Sequence, residues 1–149
     1  MKYLLLTLMA VNLLTACKEK KETAPDKQDT IVAPADDYYE VKQSVIDSLN
    51  SSLSSKNFST SEEIIEAVYP KEPKAEGKYS YTITKVTGTG NESTLTLISE
   101  GIPDDSIYAL KVEMAVINEN GQWKILRIKE AYKCWPGRGH EEWSAAPCS

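Results

Sequence analysis

The chain has 149 residues, 41% of them hydrophobic and 26% charged, which is enough apolar material for one domain around a single core. Its 22 acidic side chains outnumber 17 basic ones, for a net charge of −5. That balance, without a basic stripe, excludes nucleic acid as a partner, because phosphate binding needs clustered Lys and Arg.

The chain opens with Met1-Lys2, then "YLLLTLMAVNLLTA" at residues 3–16, then Cys17. A positive start, a short apolar run and small residues have the layout of a secretory signal. The run is too short to span a bilayer as a helix, which takes roughly 20 residues. Residues 1–16 are therefore expected to be a cleaved signal peptide. Its exit, Leu14-Thr15-Ala16-Cys17, resembles the bacterial lipobox. The resemblance implies cleavage just before Cys17, attachment of diacylglycerol to its sulfur, and a protein lipid-anchored to a membrane of the bacterial cell envelope. At roughly 0.8 kcal/mol per buried methylene, two acyl chains hold stably where one holds marginally. Cys17 is then an anchor. The next stretch, "KEKKETAPDKQDTIVAPADD", is charged, carries two prolines and offers little to bury. Residues 17–36 are expected to be the lipidated cysteine and a flexible tether.

The domain is expected over residues 37–149. Tyr38, Val41, Val45, Ile46, Leu49 and Leu53 recur at spacings of three and four, which predicts a helix from Asp37 to about Lys56. Asp37 with Glu40 has the spacing of a capping box at its start. A second, shorter helix is capped by Ser59 or Thr60, carries Glu62 and Glu63 in its first turn, and stops at Pro70. After "PKEPKAEGK" the period changes to two. "YSYTITKVT", "STLTLIS", "SIYALKVEMAVIN" and "QWKILRIKEAYK" predict four strands, and Asn120-Gly121 predicts a tight hairpin between the last two. Tyr108, Leu110, Val112, Met114 and Val116 fall on one face of the third strand. Glu113 and Glu130 lie opposite in parity to the most apolar face of their strands and are expected to face solvent.

Two helices followed by an antiparallel meander read as α+β, one layer packed on the other. The layout resembles the cystatin or NTF2-like architecture, which hosts many functions. The tail, with Cys134, Gly137, Arg138, Gly139, His140, Trp143 and Cys148, is similar to the C-terminus of small exported bacterial proteins of unassigned function.

That tail, "CWPGRGHEEWSAAPC", holds the one histidine and two of the three cysteines. With Cys17 lipidated, Cys134 and Cys148 remain in an oxidising compartment and are expected to form a disulfide closing the end of the domain. A zinc set of Cys134, His140, Glu141 and Cys148 is available in composition, but export favours the disulfide. A catalytic triad would need His140 beside a nucleophile on rigid elements, and Ser144 in the same loop does not meet that need. No metal, cofactor or catalytic residue is expected. Trp135, Arg138, His140 and Trp143 could instead form a recognition patch, since Arg and Trp are typical of binding hot spots. The expected function is a non-catalytic binding or structural role at the envelope, toward a protein or small ligand. An NTF2-like cavity enzyme or small-ligand binder, and an inhibitor or immunity-type protein, are the alternatives.

Overall fold

A computed structural model describes residues 37–72 and 77–149. The expected signal, lipobox and tether lie outside the described residues. The elements in chain order are β1 (Tyr39–Glu40), α1 (Gln43–Leu53), α2 (Glu62–Val68), β2 (Ser80–Thr87), β3 (Glu92–Glu100), β4 (Ile107–Glu119) and β5 (Gln122–Cys134). The fold is α+β, with two helices on an antiparallel sheet of five strands in the order β1-β5-β4-β3-β2.

The expectation of four strands behind two leading helices is corrected by β1. Tyr39 pairs with Glu130 and Glu40 with Lys129, and the Val41 N–H donates to the Ile128 carbonyl at 3.0 Å. β5 would otherwise present a bare edge, and a short extended segment covers it. The helix cap consequently lies five residues beyond the expected one. Lys42 takes the N-cap position in an extended conformation, without a side-chain cap. Asp37 turns to the other end of the chain, where its carboxylate accepts from the Ser144 hydroxyl and the Ala145 N–H, each at 3.4 Å.

Within α1, Ile46, Leu49 and Leu53 carry the inward stripe, whereas Val45 is 47% exposed. Several of its serines turn their hydroxyls back onto the carbonyls of the preceding turn, as Ser48 does to Ser44 and Ser51 to Asp47. That back-bonding competes with helix continuation, and α1 ends at Leu53. At the start of α2, Thr60 accepts from the Glu63 N–H at 3.4 Å while the Glu63 carboxylate accepts from the Ser59 N–H at 2.8 Å. The N-cap position itself falls to Ser61, without a side-chain cap, rather than to the expected Ser59 or Thr60, whose bonds to Glu63 order the approach to the helix.

Ile46, Ile64 and Ile65 of the helices pack onto Leu95, Leu97, Val112, Met114, Val116, Ile125 and Ile128 of the sheet. Each such side chain contributes roughly 1.5–3 kcal/mol by leaving water. β4 and β5 meet in a two-residue hairpin at Asn120 and Gly121, both at positive φ (55° and 85°), the pairing that a type I′ turn requires.

Two register shifts interrupt the β4–β5 ladder. Ala115 pairs with Arg127 but Val116 with Ile125, so Leu126 is an extra residue on β5. Ile107 pairs with Cys134 but Ala109 with Lys133, so Tyr108 is extra on β4 and leaves the line of Leu110, Val112, Met114 and Val116. An extra residue inverts the alternation of side chains beyond it.

Candidate functional site

β5 ends at Cys134, buried and bonded to Cys148 with 5.5 Å between Cα atoms. The expected disulfide is present. The loop it closes is shaped by turn chemistry. Pro136 and Gly137 occupy the centre of a turn closed by the Arg138 N–H to the Trp135 carbonyl at 2.9 Å, with Gly137 supplying a φ of 82°. Gly139, at φ 141°, lets the chain pass the disulfide: a Cβ there would stand 2.8 Å from the Cys134 sulfur. The Cys134 N–H donates to the His140 carbonyl at 2.8 Å, and Ser144 exchanges backbone bonds of 2.9 and 3.1 Å with Tyr132. The loop therefore carries on the edge cover that β1 begins.

The structure puts the four aromatic and basic members of the expected patch to different uses. His140 lies with Nδ1 2.9 Å from the Glu142 carbonyl and Nε2 2.9 Å from the Ala146 carbonyl. A neutral imidazole donates from one nitrogen only, so the tautomer decides which of the two carbonyls is bonded. Trp143 lies under two ammonium groups, Lys111 at 4.6 Å and Lys133 at 5.0 Å from its ring centroid. Trp135 meets the bulged Tyr108 edge-on at 4.8 Å, and its indole N–H donates to the Asp104 carbonyl at 2.9 Å. It remains 36% exposed. Arg138 is exposed, and its carbonyl accepts from the Ser149 N–H and hydroxyl at 2.9 and 3.0 Å. Trp135 and Arg138, at the two ends of one turn, are thus the exposed members.

For chemistry, the loop offers one convergent set. The sulfurs of Cys134 and Cys148 and a ring nitrogen of His140 lie within 4.8 Å of one another. Glu141, the fourth member of the zinc set, is exposed and outside this group. The Ser144 hydroxyl bonds to Asp37 and to the Ala146 N–H rather than to His140.

A second polar cluster sits under the helices, and here sequence reasoning missed. Glu130, expected to face solvent, pairs with Val112 of the core face, because the extra Leu126 inverts the downstream half of β5. Its Oε1 accepts from the Tyr69 hydroxyl and its Oε2 from the Tyr132 hydroxyl, both at 2.5 Å. Burial first, and the Glu130 carboxylate second, push both phenols far above the ordinary tyrosine value of 10.0. Neither ionises near neutral pH, and each carboxylate oxygen already holds a donor. Glu113, on the opposite sheet face, accepts from the Tyr38 hydroxyl at 2.9 Å.

Beside Tyr69 opens a cavity of about 210 Å³, walled by Tyr79, Tyr81, Leu97, Ser99 and Leu110. The hydroxyls in its wall have partners: Tyr81 donates to the Tyr69 carbonyl at 2.7 Å, and Ser99 to the Tyr79 hydroxyl at 3.3 Å. Burial, the charge of Glu66 and neighbouring Tyr79 raise Tyr81 to about 12. Comparison of the chain with protein-family models, curated proteins and solved structures finds no match.

Proposed function

We propose that the protein is a lipid-anchored, exported binding or structural protein of the bacterial cell envelope that performs no chemistry. The lipobox-like Leu14-Thr15-Ala16-Cys17 supports the anchor, and the Cys134–Cys148 disulfide supports an oxidising compartment. The observation that carries the non-catalytic reading is the state of Glu130. General acid–base work needs a carboxyl that can reach a substrate proton. Both oxygens of Glu130 are instead engaged by phenols that stay protonated, and that cluster ties the end of α2 to β5. Trp135 and Arg138 are the residues through which a partner would be bound.

The cavity beside Tyr69 favours a second reading, a small-ligand binder or cavity enzyme of NTF2-like layout. Native mass spectrometry on the purified protein separates the two. The proposal predicts a chain that carries its covalent lipid and one disulfide but no bound small molecule. A small organic molecule that co-purifies, and is lost when Leu110→Trp fills the cavity, would overturn it in favour of the second reading.

A further inference from the structure

We propose that Cys134, His140 and Cys148 form a redox-gated site for a soft d¹⁰ cation, Zn²⁺ or Cu⁺, which the disulfide closes and its reduction opens. Thiolate and imidazole are the ligands that such ions select. A tetrahedral zinc centre with Zn–S near 2.3 Å and Zn–N near 2.0–2.1 Å places its donor atoms roughly 3.5–4 Å apart. The three donors here already lie within 4.8 Å. Releasing the sulfur–sulfur bond therefore leaves side-chain movements of about an ångström between the closed loop and a three-ligand site.

The scaffold holding these donors also has backbone bonds besides the disulfide. Cys134 belongs to β5 and pairs with Ile107, and its N–H bonds to the His140 carbonyl. Ser144 is paired with Tyr132, and the Ser149 N–H bonds to the Arg138 carbonyl immediately after Cys148. His140 is prepared as a ligand in a second respect. Whichever ring nitrogen turns to the metal, the other keeps a backbone carbonyl 2.9 Å away, on Glu142 or Ala146. A carbonyl accepting from the distal N–H fixes ring orientation and raises ligand basicity at metal-bound histidines.

Access runs through Cys148. It is half-buried and, with Tyr39, Ile107, Tyr132 and Pro147, lines a surface cavity of about 410 Å³. An external dithiol attacks the Cys148 sulfur and Cys134 leaves as thiolate. The second thiol of the reductant then displaces Cys148 and departs as a cyclic disulfide, so that two electrons and two protons pass to the protein. The cation takes both sulfurs with release of the two thiol protons, and the unprotonated nitrogen of the neutral His140 ring, turned from its carbonyl, completes the set.

The test uses the full chain carrying Cys17→Ser, so that only two thiols remain. The protein is reduced with a dithiol, freed of reductant without air, and titrated with Zn²⁺ against a chromophoric chelator while near-UV circular dichroism follows the fold. The expected result is one Zn²⁺ per chain, bound only after reduction, with the tertiary signal retained. His140→Ala should weaken binding by about tenfold or more, and Cys148→Ser should abolish the tight site. No binding by the reduced chain, equal binding before reduction, or an affinity indifferent to His140→Ala would each overturn the proposal. A reduced chain that loses its near-UV signal also counts against it, because the site requires the folded loop.

Discussion

Asn50 joins helix to sheet with one side chain. Its amide donates to the Ile125 carbonyl and accepts from the Ile125 N–H, each at 2.9 Å, beside the extra residue of β5. An interrupted ladder leaves backbone groups without strand partners, and an asparagine supplies a donor and an acceptor together. Each buried group left unpaired costs about 1–3 kcal/mol. Asn50→Ala is therefore expected to lose about 2 kcal/mol or more in urea denaturation, and an unchanged midpoint would contradict this role. Asp104 does similar work in the β3–β4 connection, accepting from the Ile107 N–H at 2.7 Å and the Ser106 N–H at 2.8 Å. Those two bonds, Ile107 first, hold its carboxyl below the ordinary 3.8. A depressed folded value contributes stability that is present above 3.8 and lost as pH falls through the folded value. Asp104→Ala should thus be the less stable protein at neutral pH, with the gap closing on acidification below 3.8, as followed by melting temperature.

At the scale of elements, β5 decides what faces the core. Its extra Leu126 changes Glu130 from a solvent-facing residue into the acceptor that receives Tyr69 from the end of α2. Nothing in "QWKILRIKEAYK" marks that inversion, because a bulge is selected by the whole ladder and not by the alternation of one strand. The regular parts were legible. Spacings of three and four mark α1, alternation marks β2 to β4, and Asn120-Gly121 marks the hairpin, since each depends on a local periodicity or a turn conformation. β1 was not, because two residues have no period and are strand only by virtue of the edge they cover. The disulfide was legible from cysteine number and the expectation of export. The double carbonyl clamp on His140 arises from loop packing that no spacing encodes. The tyrosines at the α2–sheet junction supply a further expectation. Burial, before the nearby charge of Glu66, raises Tyr81 from 10.0 to about 12. A raised value contributes stability that is complete below pH 10 and is lost as pH rises from 10 toward 12. The wild type should therefore melt progressively lower across that interval, and Tyr81→Phe should show a shallower decline. Identical slopes for both would remove Tyr81 from the account.

For the molecule as a whole, stability and attachment have separate sources. The described domain contains its own core of ten buried apolar side chains, Ile46 to Ile128, and its C-terminus is closed onto the last strand by the disulfide. On the chain-entropy account, a closed loop of about 15 residues contributes roughly 3 kcal/mol, a substantial part of the stability of one small domain. Among the described residues no helix is long and apolar enough to cross a membrane. The proposed attachment is the lipid on Cys17. Intact-mass analysis of the protein extracted from the membranes of a bacterium producing it bears on that claim most directly. The account predicts a chain beginning at Cys17, heavier than its sequence by covalently bound acyl chains and lighter by the two hydrogens of one disulfide. A chain that retains residues 1–16, or a Cys17 without lipid, would contradict it.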